Sequence, residues 1–154
     1  MRTRTILAAA GVFFAAYGLC FAEDAQIGTW KLNEAKSTLN PEAAKNTTVV
    51  YTAAGESVKV TVDGVDSDGK PVHSEWTGKF DGKDYPVTGD PNADMRAYKK
   101  IDDRTLEITG KKGMSVTVTG RITVSSDGKT RTVDLMTSDP GGKKVGSTAV
   151  YDKQ

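Results

Sequence analysis

His73 is the only histidine of this 154-residue chain, and Cys20 is its only cysteine. Acid–base and nucleophilic catalysis need such groups beside an orienting partner. Glu75 is the only near candidate to orient His73, and both stand on the polar parity of their segment. A lone histidine cannot build a zinc site when cysteine is absent. Asp63, Asp66, Asp68 and Gly69 resemble the opening of a calcium loop, but Lys70, Pro71 and Val72 follow where a further acidic ligand is required. A hairpin turn accounts for the same residues, and a β-turn accounts for Gly89, Asp90, Pro91, Asn92 and Asp94. The remaining glycines are spaced as turns, not as a phosphate-binding loop. We therefore assign no catalytic residue, no metal ligand and no cofactor. For an enzyme, the first candidates would be Glu75, Arg131 and Asp134.

Arg131 offers a more specific chemistry. It shares its parity with Val133 and Leu135, which should point inward. An inward arginine is costly unless it is paired. Either it binds an anionic group of a ligand, or it sits at the mouth-side end of its strand and reaches water. Tyr151 either lends a hydroxyl to such a site or simply packs.

The elements that position these residues follow from a period of two. Val58, Val60 and Val62 alternate with Lys59, Thr61 and Asp63. Val72, Ser74, Trp76, Gly78 and Phe80 share one parity; His73, Glu75, Thr77 and Lys79 share the other. Met114, Val116, Val118, Gly120, Ile122 and Val124 make one face of a long strand. Such alternation marks half-buried antiparallel strands. Asp68-Gly69, Asp81-Gly82 and Asp127-Gly128 supply the positive φ angles of hairpin turns. The expected strands are 27–33, 46–54, 56–65, 71–80, 83–88, 95–102, 105–111, 113–124, 129–138 and 143–151. The one helix candidate, 34–45, is either a single turn starting at Pro41 or a loop. The fold expected is all-β: one antiparallel up-and-down meander of 8–10 strands, curled closed to remove its edges.

Arg2 and Arg4, an apolar run over 6–19 and small residues before Glu23 and Asp24 read as a secretory signal peptide cut after Ala22. The run is shorter than the about 20 apolar residues of a membrane span. Leu19 stands where a lipoprotein signal wants a small residue, so no anchor is expected at Cys20. The chain has 21 basic and 20 acidic residues, and cleavage removes two of the former and none of the latter, leaving 19 against 20. That balance gives no footprint for nucleic acid and no polybasic stretch for anionic lipid. The domains expected are 1–22 as signal and 23–154 as one barrel, periplasmic or secreted.

Two short motifs carry a resemblance. Gly28, Thr29, Trp30, Lys31 and Leu32 resemble the first-strand motif of the calycin barrels, whose Gly-x-Trp core lipocalins share. Residues 147–153 resemble the last strand of fatty-acid-binding proteins. The chain also looks like small exported bacterial lipocalin-like domains without an assigned activity. The resemblance implies that Trp30 plugs one end of a calycin-type barrel. It departs from the pattern at Ala149, where fatty-acid-binding proteins carry the arginine that helps hold a ligand carboxylate; only Tyr151 matches. The helix pair of those proteins is absent or reduced to 34–45.

Small inward residues, Gly78, Gly120, Ser147 and Ala149, stand beside Trp76 and Phe80. They either leave a lumen or let the walls meet. The first reading is an exported, non-catalytic binding protein for a small, mostly apolar or lipid-like ligand, lined by Trp76, Phe80, Val118, Arg131 and Tyr151. The alternative is a packed-core interaction or envelope module without a ligand, presenting Ser115, Thr117, Thr119 and Thr123 as contact surface.

Overall fold

Valine and threonine alternating with charged residues, cut by glycine turns, fold here into a closed ring of strands. The computed structural model describes residues 23–139 and 141–154. The strands are β1 (Gly28–Leu32), β2 (Lys45–Ala54), β3 (Ser57–Val65), β4 (Pro71–Gly78), β5 (Tyr85–Thr88), β6 (Met95–Asp102), β7 (Thr105–Lys112), β8 (Ser115–Val124), β9 (Thr130–Ser138) and β10 (Lys144–Lys153). Each pairs antiparallel with its sequence neighbours, and β1 pairs with β10, so the meander closes as a barrel. The segment 1–22 expected to be a signal, with Arg2, Arg4 and Cys20, lies outside the described residues. Among the described residues no helix is long and apolar enough to cross a membrane.

All ten expected strands form, and the differences lie at their ends. Segment 34–45 is a loop holding a three-residue 3-10 helix, Glu34–Lys36, whose first turn is capped by the Asn33 side chain. Strand β4 stops at Gly78, so Phe80 lies in the connection after it. A side chain at Gly78 would run into the Trp76 and Tyr85 rings, which is why aromatic bulk gathers there. Met114 is the tip of the β7–β8 turn and is fully exposed rather than inward. The Asp66 carboxylate closes the β3–β4 turn by accepting from the backbone N–H of Asp68 and of Lys70, both at 2.9 Å, while Gly69 takes φ 79°. Asp66 is thus a turn acceptor, as the hairpin reading expects.

The inward parity fills one half of the barrel. Trp30, Trp76, Tyr51, Leu106, Ile122, Val60 and Val124 are almost wholly buried. Each apolar side chain so buried contributes roughly 1.5–3 kcal/mol. Before β1 a turn at Asp24–Ile27 crosses this end, tied by the Ile27 N–H to the Asp24 carbonyl at 2.9 Å. Gln26 is 1% exposed there, and its Nε2 donates to the Arg104 carbonyl of the β6–β7 turn at 3.3 Å. Trp30 stands beneath it at 0% exposure, donating from Nε1 to the Gln26 carbonyl at 2.9 Å. This end is closed.

Candidate functional site

The other half of the barrel is hollow. Ten strands enclose more space than inward side chains of this size can fill. A cavity of about 430 Å³ remains, within the range that takes a small ligand. Val62, Val72, Ile108, Val118, Val133 and Leu135 make its apolar wall. Its mouth is formed by residues of four connections, 40 and 42–44, Asp66 and Ser67, 90–92, and Asp139, with Ser138 at the end of β9. Small residues on β10 leave this space, with Ser147 on the wall.

Of the expected site residues, Val118, Arg131 and Tyr151 line the cavity. Trp76 and Phe80 do not. Phe80 lies parallel to Trp76 with centroids 6.4 Å apart, and Tyr98 meets the Trp76 ring edge-on at 4.7 Å. The two form an aromatic wedge behind Tyr98, and Tyr98 takes the place on the wall. Trp76 is anchored in this role by Nε1 donating to the Arg96 carbonyl at 2.9 Å.

Arg131 does not reach water at the mouth. It is 3% exposed, because β9 runs from the closed end toward the mouth and Arg131 is its second residue. Its Nε donates to Gln26 Oε1 at 3.3 Å, and its Nη2 donates to the Tyr51 hydroxyl. The guanidinium lies 4.7 Å from the Tyr51 ring centroid and 5.6 Å from that of Tyr151, its register partner on β10. Such cation–π contacts favour the charge but do not neutralise it. Among the described residues no carboxylate forms an ion pair with Arg131. Burial pushes the Tyr51 and Tyr151 hydroxyls up, against the opposing pull of Arg131, so neither phenol supplies a counter-charge. The floor of the cavity therefore carries an uncompensated positive charge.

Sequence reasoning missed several neighbours. Tyr51 comes from β2, where a register shift between Asn46 and Thr48 interrupts the alternation. Arg96 and Tyr98 line the wall from β6, with Arg96 Nη1 donating to the Tyr98 hydroxyl at 3.3 Å. Arg96 Nη2 pairs with Asp90, and both side chains are 12% exposed. Burial works against the Arg96 charge, but Tyr98 and Asp90 outweigh it and hold the group above the ordinary arginine range. Asp90 is thus more than a turn residue. Its loop is held down by Thr117, whose hydroxyl donates to the Asn92 carbonyl at 2.7 Å. That contact also occupies one of the outer threonines offered as a contact surface.

His73 faces solvent on the outside of the barrel, far from these groups in orientation. Its Nδ1 lies 2.6 Å from Asp63 Oδ1 across the β3–β4 pair, and its Nε2 lies 3.6 Å from Glu75. The orienting partner is thus Asp63 first, a cross-strand neighbour that sequence spacing hides. Hydrogen bonding to Asp63 raises the His73 pKa above its ordinary 6.5. A raised folded value stabilises the fold fully below 6.5, and that contribution is lost as pH rises through the folded value. Proton NMR titration should find His73 above 6.5, and Asp63→Asn should bring it down; an unchanged value in the variant would remove Asp63 as the cause. Among the described residues no group of three histidine, cysteine or acidic side chains is placed to hold a metal ion.

No family model matches the sequence, and no curated protein matches it. Solved structures do match in shape. EF1p2_mFAP2b, in its structure bound to DFHBI, is 14% identical with a TM-score of 0.50, covering 84% of this chain and 94% of that one. A redesigned β barrel, b11L5F_LGL, is 15% identical with a TM-score of 0.46, covering 88% and 97%. Lobster apocrustacyanin A1 is 14% identical with a TM-score of 0.43, covering 86% of this chain and 63% of that one. At such identities the likeness is one of fold. The fold is a closed antiparallel meander of ten strands.

Proposed function

We propose that this is an exported, non-catalytic binding barrel that holds a small, mostly apolar ligand by an acidic end. The observation that carries the reading is Arg131: a buried, unneutralised guanidinium on the floor of an otherwise apolar cavity. A buried charge is costly until paired, so a ligand acid that pairs with it removes a standing penalty. The apolar wall supplies the rest of the affinity. A barrel of similar fold is bound to DFHBI, which supports a binding role. The non-catalytic part of the reading is supported by the place of the single histidine on the outer face. The cavity favours this reading over a packed-core module.

Native mass spectrometry with dodecanoate and with dodecanol tests it. One molecule of dodecanoate should bind and leave on denaturation, and dodecanol should bind at least about tenfold more weakly, because it cannot form a charge-assisted bond. Absence of any complex with the folded protein would count for the packed-core module. Equal binding of the two would remove Arg131 as the anchor.

A further inference from the structure

The cavity is charged differently at its two ends. Six charged residues line it: Arg131 and Arg96, and the acids Glu42, Asp66, Asp90 and Asp139. Arg131 stands on the floor. All four acids belong to the connections around the mouth. The only cation near them on the wall, Arg96, is already neutralised by Asp90. Lys70, Lys143 and Lys144 of the neighbouring hairpins are exposed and do not line the cavity; Lys112, also exposed and off the lining, donates from Nζ to the Pro91 carbonyl of the rim at 2.6 Å. A bound molecule therefore meets a bare positive charge at its inner end and a surplus of carboxylates at its outer end.

We propose that the cavity accepts a ligand with one acidic group and refuses a second: an amphipathic monocarboxylate whose distal end is uncharged or cationic. The proposal rests on the reading of Arg131 as the seat of the acid. A second carboxylate on the ligand would project toward Glu42, Asp66 and Asp139 with no unpaired cation on the cavity lining to receive it. Like charges brought together in a partly desolvated site repel strongly, which is how charge excludes a wrong partner. An ammonium in the same place would meet attraction instead. Asp90 is the specificity-determining residue, because it occupies Arg96, the one group that could otherwise take a second acid. The pairing also fixes orientation: acid inward, tail toward the mouth.

Calorimetric titration of the purified protein with dodecanoate, dodecanedioate and ω-aminododecanoate, which share one chain length, tests the proposal. The diacid should bind at least about tenfold more weakly than dodecanoate, and the amino acid at least as tightly. Added salt should narrow the gap, since the mouth is open to solvent. Asp90→Asn frees Arg96 and should bring the diacid level with dodecanoate. That variant leaves a buried arginine without its partner and is at risk of misfolding. Glu42→Lys avoids the risk, because Glu42 is exposed at the rim; it should improve the diacid several-fold relative to dodecanoate. Equal affinity of the wild type for all three ligands overturns the proposal and leaves the binding function standing. Binding of none of them by the folded protein overturns the binding function itself.

Discussion

Arg131→Met should weaken dodecanoate binding by roughly 30-fold or more and leave the barrel within about 2 kcal/mol of the wild-type stability. Losing a desolvated charge partner costs about 2–5 kcal/mol of binding, or roughly 30-fold to a few thousandfold in Kd. The small size of the stability change is the second half of the expectation. Arg131 is 3% exposed and has no carboxylate partner among the described residues. Exchanging buried charge for an apolar side chain of similar length is often neutral or stabilising by about 1–4 kcal/mol. Two hydrogen bonds are lost, those to Gln26 Oε1 and the Tyr51 hydroxyl, at about 1 kcal/mol each. The net expectation lies within about 2 kcal/mol of the wild type in either direction. Urea unfolding at constant m value reads it directly. A variant that binds dodecanoate normally but unfolds several kcal/mol more easily would make Arg131 a tie between Gln26 and Tyr51, not a ligand seat.

That opposition of stability and binding explains why parity alone located Arg131 but could not say what it does. The strand pattern was legible because each hairpin is written locally, in alternation such as Val58, Val60 and Val62 and in turn glycines such as Gly69 and Gly128. Val118, Arg131 and Tyr151 inherit their inward direction from that pattern. Trp76 and Phe80 inherit it too, yet they lie off the cavity, because parity tells inward from outward but not the hollow half from the filled half. Gln26 precedes β1 altogether and reaches Arg131 across 105 residues of sequence. Asp90 and Arg96 are close in sequence, but their pairing depends on how the β5–β6 loop folds back. On β6, Ala97 and Tyr98 are adjacent and both buried, so no alternation marks Arg96 as facing the lumen. What was hidden is the cross-strand pairing, and the charge balance of the cavity depends on it.

Trp30→Ala should be the most destabilising single change in the barrel. The indole is 0% exposed, and its Nε1 holds the Gln26 carbonyl at 2.9 Å. Lys153 of β10 lies 5.4 Å from the ring centroid on the strand that closes the barrel against β1. Removing a buried tryptophan costs about 3–5 kcal/mol, a large part of the roughly 5–15 kcal/mol that holds a domain folded. The midpoint of thermal unfolding should fall by on the order of 15 °C. Trp30→Phe separates packing from tethering. It retains most of the buried ring but loses the N–H that fixes Gln26, so it should cost only about 1–2 kcal/mol. Its consequence for binding should exceed its consequence for stability. Gln26 bonds Arg131 Nε through its side chain, so a displaced Gln26 turns the guanidinium away from the floor. Dodecanoate affinity in Trp30→Phe should therefore drop several-fold in a protein that is still folded at room temperature. If Trp30→Ala loses less than about 1 kcal/mol, below the usual cost of emptying a buried tryptophan site, the closed end is held by other residues. If Trp30→Phe binds dodecanoate like the wild type, the turn at Asp24–Ile27 does not set the position of Arg131.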